Sequence, residues 1–158
     1  MVSVKNILWV GFISMVPIIE LRGAIPAGAA LGLPWYLCMF AAIVGNCIPV
    51  PFILLFIREI LAWMKRCPLR LFQKIALWLE QKAEKHKDKV ERFAFWGLLL
   101  LVAIPLPGTG AWTGSLVAAL FRVKAKTAVP AILLGVVGAA VIVTLISYGV
   151  LSALEFLL

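Results

Sequence analysis

Two uncharged apolar stretches, residues 35–57 and 127–154, constrain this chain more than anything else in it. At a rise of about 1.5 Å per helical residue, each is long enough to cross a hydrocarbon layer of roughly 30 Å. Two further apolar stretches, 7–19 and 93–106, are too short to cross untilted. Each runs into a Gly/Pro-containing break and then a second short apolar arm, 23–33 after the first and 110–121 after the second. An arm, a break and another arm form the pattern of a re-entrant hairpin, which enters and leaves a membrane on one side. Irregular backbone at that depth survives only where protein or a water-filled cavity satisfies its polar groups.

Charge is distributed to match. Of fifteen Lys/Arg and seven Asp/Glu, all but Glu20 and Arg22 lie in 58–92, at Arg122, Lys124 and Lys126, or near an end, at Lys5 and Glu155. With 64% hydrophobic and 14% charged residues, and a mean hydropathy of +1.09, the chain carries too much apolar surface for one small soluble core. That excludes an ordinary soluble enzyme. The net charge of +8 then reads as cytoplasmic loops obeying the positive-inside rule, not as a nucleic-acid surface, since no nucleic-acid motif accompanies it. Cys38, Cys47 and Cys67 show neither zinc nor disulfide spacing, and His86 lies in a solvated run of Lys and Glu. The first apolar segment is followed by Glu20 and Arg22 in place of a small-residue cleavage site, so a cleaved signal is not expected.

The two halves repeat one another in order. Gly23-Ala24 and Gly110-Ala111 each open a small-residue arm, with Gly28 and Gly32 in one and Gly110 and Gly114 in the other. The spanning segments that follow carry Ala41-Ala42-Ile43-Val44-Gly45 and Ala131-Ile132-Leu133-Leu134-Gly135. Small residues at this spacing let helix backbones approach closely in lipid. Placing 58–92 and 122–126 in the cytoplasm puts the second hairpin inside and the first outside, with Trp35 and Tyr36 in an outer interfacial belt. The expected fold is an all-α integral membrane protein of one domain in a cell membrane. It is an inverted repeat of re-entrant hairpin plus transmembrane helix, 1–57 and 93–158, joined by a cytoplasmic amphipathic helical connector, 58–92. Leu71, Ile75, Trp78 and Leu79 fall at helical spacing in that connector.

Charges within a bilayer cost about 2.5–3.5 kcal/mol on insertion scales unless paired or hydrated, so Glu20 and Arg22 mark the candidate site. Opposite them, Ile104-Pro105-Leu106-Pro107-Gly108-Thr109-Gly110 stops the second hairpin. The arms beginning at Gly23 and Gly110 offer free N–H groups there, and two half-helix N-termini plus a guanidinium make an anion site. Thr109, Thr113 and Ser115 add hydroxyls, Trp112 lines the same arm, and Asn46 supplies an amide above the Pro49-Val50-Pro51 kink. Glu20 is a proton acceptor whose balance Arg22 and an arriving substrate alter. No catalytic triad, paired carboxylates, phosphate loop, metal set or cofactor motif is present, so a transporter is expected and an enzyme is not.

Val16-Pro17-Ile18-Ile19-Glu20-Leu21-Arg22-Gly23-Ala24-Ile25-Pro26, the Gly45-Asn46 pair and Pro105-Leu106-Pro107-Gly108-Thr109-Gly110-Ala111-Trp112-Thr113-Gly114 resemble the small multi-drug export protein family. That family looks like a short relative of the DedA/VTT membrane proteins. The resemblance implies facing re-entrant hairpins and transbilayer lipid movement. In several bacterial DedA-type members the cargo is undecaprenyl phosphate, with proton or sodium coupling. DedA-like proteins tend to carry further acids in the first half and arginines in the second hairpin. Here Asn46 stands where an acid is expected and no arginine precedes Arg122, leaving Arg22 to act alone. The expected function is translocation of an anionic lipid carrier such as a polyprenyl phosphate. Arg22, Gly23, Asn46, Gly108, Thr109, Gly110, Trp112, Thr113 and Ser115 would contact it, with Glu20 coupling protons. Membrane lipids are the expected partners, nucleic acid is not one, and the sequence is compatible with a homo-oligomer. The alternatives are a proton-coupled exporter of small cationic compounds and a membrane scaffold in which Glu20 and Arg22 are structural.

Overall fold

Helix ends follow the prolines and glycines. The fold was obtained as a computed structural model that describes residues 3–66, 74, 77, 78, 81, 87–106 and 108–157. Helix α1, Val4–Met15, stops because Pro17 forces the residue before it out of helical dihedrals, and Val16 is extended at φ −73°, ψ 128°. Helix α2, Glu20–Ala30, follows the break, and α3, Trp35–Cys47, starts directly after Pro34. Helix α4, Pro49–Arg66, α5, Lys87–Ala103, α6, Ala111–Leu120, and α7, Ala125–Leu157, complete the chain. Among the described residues there are helices and no strands.

Two apolar helical stretches are long enough to cross a membrane, Trp35–Ile57 with 23 residues and Ala125–Val150 with 26. The first is bent. Pro49 and Pro51 have no N–H to offer the carbonyls of Gly45 and Cys47. Ile48 nevertheless keeps helical dihedrals at φ −57°, ψ −45°, so α3 passes into α4 without an open loop. At the two ends of the 58–92 stretch, α4 runs on to Arg66 and α5 begins at Lys87. Of the expected amphipathic set, Trp78 is helical and exposed, while Leu71, Ile75 and Leu79 lie outside the described residues, as do His86 and Cys67.

Packing divides along the chain. Helix α1 lies against α2 and α3, and α5 lies against α6 and α7. The halves then cross, α2 packing on α7 and α6 on α4. The buried core is built largely from small side chains, including Ala24, Ala42, Ala118, Ala128, Ala131 and Ala140, with Leu21, Ile25, Ile132 and Val136 between them. Such residues let backbones meet. A Cβ at Gly45 would overlap the Gly11 carbonyl, and one at Gly135 would stand 2.9 Å from the Leu99 carbonyl oxygen.

The ends of α2 and α6 close alike. Leu33 N–H donates to Gly28 O at 3.1 Å and Gly32 N–H to Ala29 O at 2.9 Å. Ninety positions on, Val123 N–H donates to Ala118 O at 2.9 Å and Arg122 N–H to Ala119 O at 3.2 Å. Both are Schellman caps, with Gly32 at φ 70° and Arg122 at φ 53° in the left-handed position.

These contacts separate two costs of adding a methyl group. A Cβ at Gly32 meets nothing, so Gly32→Ala should lower unfolding free energy by about 1 kcal/mol through backbone strain alone. Gly45→Ala must push α1 away from α3 and should cost more, about 2–3 kcal/mol. Denaturation of the detergent-solubilised protein, followed by helical circular dichroism, checks the order.

Candidate functional site

The site is made where the break between α1 and α2 meets the break between α5 and α6. In the first break Ile18 and Glu20 both adopt left-handed backbone, at φ 81° and 47°. Neither is glycine, and each such conformation costs about 1–2 kcal/mol, so surrounding contacts must hold it. In the second break Pro105 cannot donate to Leu101 O, and Gly108 and Gly110 turn the chain at φ 80° and 129°. Helix α6 begins immediately afterwards.

Arg22 reaches across to the second break. Its guanidinium donates to the carbonyls of Leu106, Thr109 at 2.7 Å and Ile104 at 3.2 Å, and to Thr109 Oγ1 at 2.6 Å. The Thr109 hydroxyl has acceptors at 2.8 Å in Ile104 O and Leu106 O. One cation thus gathers three carbonyls of the break after α5, two of which, Ile104 O and Leu106 O, also accept the backbone N–H of Leu106 and Thr109.

Glu20 does the opposite job at the start of α6. Its Oε1 accepts the Trp112 backbone N–H at 3.1 Å, and the carboxylate rests against Gly110 so closely that a Cβ there would overlap it. A carboxylate at a helix N-terminus is favoured by the unpaired N–H groups and by the helix dipole. Glu20 is only 4% exposed. Glu20 and Arg22 do not hydrogen-bond each other; each satisfies backbone of the opposite break.

A third contact runs the other way. The Trp112 indole Nε1 donates to Met15 O, at the C-terminal end of α1, at 3.1 Å. Arg22 and Trp112 are ninety positions apart, the same offset that relates the two Schellman caps. Each therefore donates to the carbonyl end of the other half's first helix.

Of the residues expected at the site, Glu20, Arg22, Thr109, Gly110 and Trp112 come together by direct contact. Asn46 is 1% exposed and its amide lies beside the Glu20 carboxylate, outside hydrogen-bond geometry. Ser115 turns away: its hydroxyl donates to Ala111 O at 2.6 Å within α6. Gly23 packs on Ile19, Gly108 is exposed, and Thr113 is half-buried in α6. Some of the N–H groups expected free for an anion are engaged already. Glu20 N–H and Gly23 N–H bond Val16 O and Ile19 O, Gly114 N–H bonds Gly110 O, and Glu20 takes the Trp112 N–H. The α6 position read from sequence as an anion site thus holds the chain's own carboxylate.

The carbonyl acceptors of Ile104, Leu106 and Met15 were not foreseen. The donors that Pro17 and Pro105 lack would have served Ile13 and Leu101, so no proline spacing marks these three carbonyls. Among the described residues no three His, Cys, Asp or Glu side chains cluster as metal ligands.

Residues 20–142 match the family described as "Putative small multi-drug export protein". The chain belongs to that family. The match begins at Glu20 itself and takes in Arg22, Asn46, Thr109, Gly110 and Trp112, whereas α1 lies before it. No curated protein and no solved structure matches the chain. Membership, with the two apolar spans, marks a membrane protein of an export family and points to a transporter, not an enzyme.

Stability should follow these contacts. Arg22→Ala strips the donors from four acceptors and should cost about 3 kcal/mol or more, and Arg22→Lys should recover part of that. Glu20→Gln keeps an acceptor for Trp112 and should cost about 1 kcal/mol, less than Glu20→Ala. Denaturant titration in detergent measures each.

Proposed function

We propose that this family member exports an amphiphile with an anionic headgroup, bound at Arg22, by opening the contact between two re-entrant hairpins. The hairpins are α1 with α2 and α5 with α6, and each half adds a spanning helix in the opposite orientation. Support comes from the caps repeated ninety positions apart and from the crosswise packing of each α2 or α6 arm on the other half. Both basic groups, that between 58 and 92 and that at Arg122, Lys124 and Lys126, would face the cytoplasm of a multi-pass plasma-membrane protein.

The observation that carries the cargo's charge is the company Arg22 keeps. Its hydrogen-bond acceptors are neutral carbonyls and a hydroxyl. A phosphate oxygen accepts a charge-assisted hydrogen bond roughly twice as strong as a neutral one. An arriving phosphate therefore competes with Ile104, Leu106 and Thr109 for the guanidinium, and winning that competition releases the end of α5. The Arg22 contacts are partly exposed, and the apolar side chains of Ile18, Ile19, Ile104 and Leu106 around them are exposed too. A charged head would meet Arg22 while its apolar body stays among those side chains and in lipid. The resemblance to DedA/VTT proteins makes a polyprenyl phosphate the first cargo to test.

Glu20 would couple the step to protons, or to sodium as a second candidate. Protonation neutralises the carboxylate on the α6 N-terminus, weakening its hold on Trp112 N–H as the cargo loosens Arg22. The family description favours a second reading, export of small cationic compounds with Glu20 binding proton and cation in turn. The guanidinium two residues away opposes it, because a cation approaching Glu20 also approaches Arg22.

Proteoliposomes separate the two. Translocation of a short-chain polyprenyl phosphate should fall at least about tenfold in Arg22→Ala, with partial recovery in Arg22→Lys, once reconstitution and helical content are matched. Unchanged translocation in Arg22→Ala contradicts the anionic reading. Proton-driven uptake of a cationic dye, abolished by Glu20→Gln and indifferent to added lipid phosphate, would establish the second.

A further inference from the structure

The interior beside the cross-contacts holds polar atoms that no protein group satisfies. Asn46 is 1% exposed, and neither its Oδ1 nor its Nδ2 has a hydrogen-bond partner. The Nε of Arg22 is also buried and unpartnered. On the same turn of α3, Pro49 has no N–H to give the Gly45 carbonyl. Leaving a buried amide unbonded costs about 1–3 kcal/mol per group, a penalty that selects for a small polar occupant.

The charges around the amide decide which occupant fits. The Arg22 guanidinium and the N–H end of α6 repel a metal cation. The Glu20 carboxylate repels a second anion. A neutral species that both donates and accepts meets every group: it accepts from Asn46 Nδ2 and donates to Glu20 or to Asn46 Oδ1. Gly110 is pressed against the carboxylate and leaves no room for an occupant on its own side.

We infer that a water molecule bridges Asn46 and Glu20, and that Glu20 exchanges its proton through this water. The site does not depend on the identity of the cargo. It makes Asn46, which carries no charge of its own, the residue that keeps a nearly sealed carboxyl in contact with solvent protons. The exchange balances as a simple transfer: the bridging water gives a proton to a Glu20 oxygen and regains one from the next water, or the reverse.

Two measurements test it on the full chain. An experimental structure at a resolution that shows water should have a density peak within hydrogen-bond distance of both Asn46 and Glu20. A direct amide–carboxylate hydrogen bond in its place, or density that appears only with added sodium, overturns the inference. In solution, deuterium exchange of the protonated Glu20 carboxyl can be followed by infrared at acid pH, its band assigned by its loss in Glu20→Gln. Asn46→Leu should slow that exchange about tenfold or more, while Asn46→Ser, which retains a hydroxyl to hold the water, should exchange like the parent. Equal rates in the parent and Asn46→Leu, or equal slowing in Asn46→Ser, overturn the inference. If the Leu variant does not fold, Asn46→Val takes its place, with slowed exchange expected and a parent-like rate overturning the inference.

Discussion

A broken helix in apolar surroundings leaves carbonyls at one end and N–H groups at the other, with no water to take them. This chain has two such breaks, and it solves each with the other. Arg22 and Glu20 leave the first break to satisfy, respectively, the carbonyl end of α5 and the N–H end of α6. Trp112 returns from the second break to the carbonyl end of α1. Small-residue packing brings the arms close enough for these contacts, as the fit of Gly110 on the Glu20 carboxylate shows. The left-handed backbone at Ile18 and Glu20 belongs to the first of these breaks.

Mutual satisfaction has a consequence for transport. On the proposed reading, moving either break away would cost the side-chain contacts of both, so the pair would open as a unit. What replaces a lost contact must be a better partner. On that reading a phosphate would do so for Arg22, and a proton would do the corresponding thing for Glu20 by removing the charge that α6 attracts. An ion pair between Glu20 and Arg22 alone would have offered no such link between cargo and backbone.

Much of this was legible in the sequence. Only Glu20 and Arg22 are charged within apolar stretches, and these are the side chains that reach from the first break to the second. The Pro and Gly residues of 105–110 located the second break, and the recurring Gly-Ala arms pointed to its relation with the first. The direction in which each side chain reaches was not legible, because residue type does not tell which of several orphaned groups a guanidinium or carboxylate will meet. Hence the N-terminus of α6 looked open to a ligand when Glu20 occupies it, and Ser115 looked like a site hydroxyl when it bonds within its own helix. The Pro49-Val50-Pro51 segment falls at the junction of α3 and α4, and the helical stretches to Arg66 and from Lys87 are built of good helix formers.

The central claim is that the two breaks hold each other through side chains, and a double-mutant cycle between Arg22 and Thr109 tests it most directly. The variants are Arg22→Gln, Thr109→Val and the double substitution, each unfolded by denaturant in the same detergent. Their 2.6 Å contact predicts a coupling of about 1 kcal/mol or more, with the double variant less destabilised than the two single losses added together. Additivity within about 0.3–0.5 kcal/mol would mean that the breaks are held independently, and would contradict the account.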